Sequence, residues 1–269
     1  MFTTENIAAM AVGGLLALII PIGAAVVFKL KNRETWLPSV FIGAGTFFVF
    51  AMVLEQLLHS VMLPIVLGST ALYCVYGALA AGVFEETGRF IAYKTLMKKH
   101  YSTKNAVYTG IGHGGCEAIL LLGITMLSNI SVVASVNALG IDEFVKISSA
   151  GNPELAETVR SQVEAISAIG FAVMRQSIYE RVVAMVFHVC MSVIVYKAAS
   201  QRGKVWLYPC AVVLHALLDV PAALYQTGVL TGIPAVHGIM TAFTAVVVVG
   251  TVVLAKKMPD KSGQQNAQL

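Results

Sequence analysis

Seven apolar stretches dominate the chain, near residues 7–28, 38–58, 70–96, 105–127, 178–197, 205–226 and 236–255. Each approaches or exceeds the roughly 20 residues needed to cross a bilayer as a helix. The expected fold is therefore all-α, a polytopic transmembrane bundle of about seven spans, with room for an eighth short or re-entrant element in the long loop. Only 12% of the residues are charged, against about 25% in a soluble domain. The chain reads as one membrane domain, residues 1–269. Its motif-bearing spans fall within 70–226, an extracytoplasmic loop covers 128–176, and a polar, frayed cytoplasmic tail covers 256–269.

Loop charges set the expected orientation. Lys29, Lys31 and Arg33 follow the first span, and Lys94, Lys98, Lys99 and Lys104 join the third to the fourth. Lys197, Arg202 and Lys204 join the fifth to the sixth, and Lys256, Lys257 and Lys261 follow the seventh. Every second loop is basic. The positive-inside rule then gives an N-terminus outside and a C-terminus in the cytoplasm. The first span has its basic residues behind it, unlike a cleaved signal peptide, so it is expected to be retained. The net charge of +4 belongs to these loops and does not argue for nucleic acid. The four cysteines, Cys74, Cys116, Cys190 and Cys210, lie in apolar runs without CxxC spacing, which suggests neither a disulfide framework nor a cysteine zinc site. They read as small buried hydrophobes. In the 128–176 loop, Pro153 followed by Leu155, Val159, Val163 and Ile166 predicts an amphipathic helix.

Against this apolar background the ionisable residues stand out. Glu85, Glu86 and Arg89 lie in the third span, where each charge costs about 3 kcal/mol on insertion scales. A simple pairing of Glu86 with Arg89 on one helix face is the plainer alternative. Three further spans also carry polar groups. His113 and Glu117 lie in a glycine-rich stretch of the fourth, His188 in the fifth, and His215 and Asp219 in the sixth. Counted from the nearest basic residue, Glu86, His113, His188 and His215 are 8, 9, 9 and 11 positions into their spans. At 1.5 Å per residue all four lie roughly 12–18 Å from the basic belts. His59 and His237 fall at outer span ends and His100 in a basic loop; these three are read as solvated or structural.

Imidazoles with carboxylates form a zinc-type set. His113, His188 and His215 can supply three nitrogens, with Asp219 or Glu117 as a fourth ligand or as an orienting group. Glu85 or Glu86, with Glu86 favoured, can then take a proton from water. A metal-free route, in which a glutamate activates water and histidines stabilise the oxyanion, uses the same residues.

The patterns EE-x-x-R at 85–89, G-x-G-H-x-x-x-E at 110–117, E-R with a downstream histidine at 180–188 and H-x-x-x-D at 215–219 together resemble the YhfC-family intramembrane proteases. These are relatives of the type II CAAX prenyl endopeptidases (the CPBP group) and of the PrsW proteases. The resemblance implies a helical membrane hydrolase whose catalytic glutamate is Glu85 or Glu86 with Arg89 beside it, whose second motif is filled by His113 or Glu117, and whose fourth motif is His215 with Asp219. It implies membrane-associated protein or peptide substrates, and zinc as a possible cofactor. The arginine falls one place earlier than in the CAAX enzymes, which favours the YhfC branch. Two other classes fit the same residues: a proton- or ion-coupled transporter, and a non-catalytic immunity or scaffold protein.

Overall fold

The helix α1 (Thr4–Lys31) opens a computed structural model that describes residues 2–260. It is followed by α2 (Pro38–Val66), α3 (Thr70–Lys94), α4 (Thr103–Leu139), α5 (Ile141–Ser149), α6 (Pro153–Ser167), α7 (Phe171–Ser200), α8 (Leu207–Gln226) and α9 (Ile233–Lys257). The fold is all-α, with no strand among the described residues. Six of these helices are long and apolar enough to cross a bilayer. The seventh expected span, α3, has 25 residues but carries Glu85, Glu86, Arg89 and Lys94.

The long loop expected over 128–176 is mostly helical. Residues 128–139 are uncharged and continue α4, which ends only at Gly140, held at φ 81°. The amphipathic helix appears as α6. Asn152 caps it by accepting from the backbone N–H groups of Glu154 and Leu155, and Pro153 occupies its first turn. Likewise α7 begins at Phe171 and runs to Ser200, so Lys197 belongs to a helix and is fully buried, not part of a basic loop. Pro221 lies within α8, which continues through it to Gln226. The polar tail was expected to fray from Lys256. Instead, Lys256 and Lys257 close α9 and Asp260 is hydrogen-bonded to Thr103, Tyr196 and Lys197; residues 261–269 lie outside the described residues. Of the cysteines, Cys74 and Cys190 are buried as expected, Cys116 is half-buried and Cys210 is exposed.

Two compact units form. The first comprises residues 2–22 and 118–182, the second residues 23–117 and 183–260. In the first, Ala9, Met10, Ala17, Leu122, Met126, Val133 and Met174 make the core. Asn6 ties its helix start to this unit by donating to the carbonyls of Ser167 and Ile169 at 3.0 and 2.9 Å.

The second unit is built around the later part of α7. There Phe187, Met191, Val195 and Ala198 are completely buried. The small residues of α4 explain why its backbone can lie so near: a Cβ added at Gly110 would come within 2.5 Å of the Cα of Val189, and one at Gly112 would overlap the carbonyl of Val40 in α2. Helix α3 is amphipathic in the inverted sense. Leu72, Val75, Leu79, Val83 and Ile91 point outward, while Ala78, Gly82, Glu85, Glu86, Arg89 and Tyr93 are buried. An apolar face suits lipid, and charges are tolerable only where protein surrounds them. This inversion delivers the charged residues to the interior.

Candidate active site

The second unit gathers the polar residues of five helices into its interior. From α3 come Glu85, Glu86 and Arg89, from α4 His113 and Glu117, from α7 His188, and from α8 His215 and Asp219. Helix α2 contributes Thr46. Glu86, Arg89 and His113 are 0% exposed, and His188, His215 and Glu85 no more than 6%; Glu117 and Asp219 are half-buried at the rim.

The Glu85 carboxylate is the hub. Its Oε2 lies 2.7 Å from His113 Nε2, 3.6 Å from Arg89 Nη2 and 3.9 Å from His188 Nδ1. Its Oε1 lies 3.8 Å from His215 Nε2. Glu86 forms the layer behind. Its Oε1 pairs with Arg89 Nη1 and lies 2.6 Å from His215 Nδ1. The other oxygen, Oε2, is buried and meets no hydrogen-bond donor among the described residues.

The hydrogen bonds assign the ring tautomers. Thr46 Oγ1 donates to the carbonyl of Gly43 at 2.7 Å. A hydroxyl has one proton to give, so at 3.0 Å it accepts from His113 Nδ1. His113 Nε2 then bears a lone pair toward Glu85. Arginine only donates, so Arg89 Nη2, at 2.7 Å, gives its proton to His188 Nδ1. His188 therefore carries its own proton on Nε2, 2.5 Å from Glu117 Oε2. His113 is held by Thr46 on its far side and turns the Nε2 lone pair toward Glu85; the Nδ1 lone pair of His188 is taken by Arg89, so that nitrogen is open to another cation only when the guanidinium gives way.

This arrangement fits a metal ion. Two acceptors as close as His113 Nε2 and Glu85 Oε2 need a cation beside them, either a proton or a metal. One donor atom each from Glu85, His113 and His188 lies within 4.8 Å of the others. Ligands about 2 Å from a zinc stand up to roughly 4 Å apart, so a contraction of about an ångström completes the set. The fixed far-side partners, Thr46 and Glu117, are what metal-binding imidazoles normally have. The grouping differs from the set expected from the sequence. Glu85 stands with His113 and His188, while His215 is turned toward Glu86, and its Nε2 lies 3.6 Å from Asp219 Oδ2.

Two residues of this neighbourhood escaped the sequence reading. Thr46 is a single hydroxyl in an apolar run, without any spacing signal. Glu55, 5% exposed in α2, did carry a signal, being an ionisable group within an apolar stretch. It fell three residues from the expected span end at 58, whereas the helix continues to Val66.

Residues 16–240 match the model of the YhfC intramembrane metalloprotease family. The chain belongs to that family. It is also 34% identical over 264 residues to the uncharacterized membrane protein YhfC of Bacillus subtilis (strain 168), covering 96% of this chain and 99% of that one. No solved structure matches. The YhfC-family match takes in all nine of these residues, from Thr46 to Asp219, and it fits a multi-span membrane protein with a buried Glu–His–His cluster compatible with a metal.

Proposed function

We propose that this chain is an intramembrane endopeptidase that hydrolyses peptide bonds of membrane-associated proteins or peptides, with Glu85, His113 and His188 holding a zinc ion. The observation that carries this reading is the environment of Glu85: a buried carboxylate 2.7 Å from the His113 Nε2 lone pair, with His188 Nδ1 and Arg89 within 4 Å of the same oxygen. Structural ion pairs in a membrane helix do not need two histidines with pre-set tautomers.

Bound there, zinc would act as a Lewis acid on a water molecule and on the substrate carbonyl. The chain's own groups do the rest. Glu86 accepts from His215 Nδ1 and so presents Nε2 of that ring toward Glu85 and Asp219. His215 Nε2 takes a proton from the attacking water as its oxygen bonds to the scissile carbon. The same proton passes to the amide nitrogen as the C–N bond breaks, which restores the imidazole. Arg89, tied to Glu86 and His188, keeps positive charge beside the developing oxyanion. Glu117 at the rim lies 2.5 Å from His188 Nε2, and Asp219, 3.6 Å from His215 Nε2, steadies that ring once the nitrogen has taken its proton.

The loop charges further support an orientation with the N-terminus outside and the C-terminus in the cytoplasm. The test of function is cleavage of a membrane-inserted peptide library by purified protein in bilayer discs. Glu85→Gln and Glu86→Gln should each lower turnover by about 10²-fold or more, the scale of a lost proton-transfer or ligand group. Full activity in both variants would overturn the reading.

A further inference from the structure

Helix α2 carries a polar group that the site does not use. Residues Phe47–Glu55 of this helix adopt π geometry, a distortion frequent at functional positions. Thr46, at one end of that segment, touches His113. Glu55, at the other end, is 5% exposed and near enough to Glu85, His215 and Asp219 to interact with their charges. An unused carboxylate in a membrane helix carries an insertion cost without evident return.

Glu55 is also connected in the other direction. His59, one turn along α2, places Nε2 3.3 Å from Glu55 Oε1 and Nδ1 2.6 Å from the Tyr76 hydroxyl on α3. The two rings meet edge to face at 67° with centroids 5.4 Å apart. Both imidazole nitrogens are therefore engaged, on opposite sides, by groups that can give or take a proton. Tyr76 is nine positions before Glu85 on α3, about 13 Å along the helix axis. It lies toward the α2–α3 turn (67–69), the helix end away from the basic residues Lys94, Lys98 and Lys99. Exposure rises in the same direction, from buried Glu55 to half-buried His59 and Tyr76.

We infer that Tyr76, His59 and Glu55 form a proton relay linking water at the α2–α3 turn with the buried active site. A proton enters His59 Nδ1 from the Tyr76 hydroxyl and another leaves Nε2 for Glu55. Tyr76 recovers its proton from a hydronium ion at the surface, and His59 returns to its Nε2–H tautomer before the next transfer, so protons and charge balance. The net movement is one proton from the surface to Glu55, whose charge interacts with those of Glu85, His215 and Asp219. Its purpose rests on the peptidase reading, but its existence does not. A purely structural clasp between α2 and α3 would use the same contacts and would move no proton.

The test follows the proton itself. Full-length protein in bilayer discs is acidified rapidly while the infrared carbonyl band of protonated carboxyl groups is recorded, and the part missing in Glu55→Gln is assigned to Glu55. In Tyr76→Phe, which removes one oxygen and keeps the ring, and in His59→Phe, that band should reach the same amplitude but rise about a hundredfold more slowly, the low end for losing a positioned proton carrier. An unchanged rate in both variants, or no band missing in Glu55→Gln at any pH where the protein stays folded, would overturn the relay. A clasp would lower thermal stability in Tyr76→Phe and leave the rate alone. If the band behaves as expected while the wild type cleaves nothing, the peptidase reading fails and the relay stands, which would turn attention to proton-coupled transport.

Discussion

Glu85 and Glu86 are adjacent in sequence but differ in surroundings, because consecutive residues point about 100° apart on a helix. Glu85 faces three imidazoles, whereas Glu86 faces Arg89 and one ring. The sequence favoured Glu86 as the base; the surroundings support Glu85 as the ligand and Glu86 as the group that orients His215. Thr46 offers the sharpest test at this scale. Thr46→Val keeps its shape and removes the acceptor of His113 Nδ1–H. Metal affinity, measured by chelator competition, should fall about 10–100-fold without loss of the fold; an unchanged affinity would mean that the tautomer is not set there. The histidines were legible because three of them lay at one depth, a regularity that packing alone would not produce. Thr46 was not, because a hydroxyl in an apolar run has no periodicity. His59 was set aside as solvated or structural, and its contacts with Glu55 and Tyr76 show how little a position near a span end says about surroundings.

At the scale of elements, the close approach of α4 to α2 predicts a contrast between two glycines. A Cβ at Gly112 meets the backbone of Val40, whereas one at Gly45 meets nothing within 4 Å. Gly112→Ala should destabilise the fold by about 1–3 kcal/mol, as overpacking does, since backbone cannot step aside like a flexible side chain. Gly45→Ala should be neutral or gain up to about 1 kcal/mol from helix propensity. Thermal unfolding in detergent compares the two, and equal effects would count against the packing described. The spans themselves were readable from hydropathy to within a few residues, except where an uncharged helix outran its apolar core. The continuation of α4 past 127 to Leu139 is such a case, because Ser128, Asn129 and Ser131 lower hydropathy without breaking a helix.

For the molecule as a whole, the segment after α9 is fixed at Asp260 by a polar clasp that the sequence did not reveal. Asp260 accepts from Lys197 Nζ at 2.7 Å, from Tyr196 OH at 2.8 Å, and from the backbone N–H of Thr103 at 2.6 Å. Burial pushes the Asp260 carboxyl up, but these hydrogen bonds, that of Lys197 foremost, outweigh it and hold the group below its ordinary value of 3.8. A depressed carboxylate stabilises the fold above the unfolded value, and the contribution is lost as pH falls from there through the folded value. Stability should therefore drop below about pH 4, and Asp260→Asn should remove that part of the pH dependence. At neutral pH the same variant should cost about 1–3 kcal/mol, because buried Lys197 keeps Thr103 Oγ1 as an acceptor but loses its charged partner. Unfolding curves of both proteins between acid and neutral pH check this, and an unaltered profile would contradict it. The proposed orientation is checked on a cysteine-free background with single cysteines at Lys99 and Ser161, both exposed. A membrane-impermeant reagent should label them from opposite sides, and labelling from one side would refute the charge-based topology.

On the reading proposed for this chain, Glu85, His113 and His188 hold a metal ion inside the membrane. Metal stoichiometry by elemental mass spectrometry on purified, folded protein tests it most directly. The expected result is about one zinc per chain, as a closed set of nitrogen and oxygen ligands would hold. The metal should be lost in His113→Ala and in Glu85→Gln and retained in Tyr76→Phe, whose side chain lies away from the ligands. A wild-type protein that carries no divalent metal while cleaving peptide, or variants that keep their full zinc content, would contradict the account.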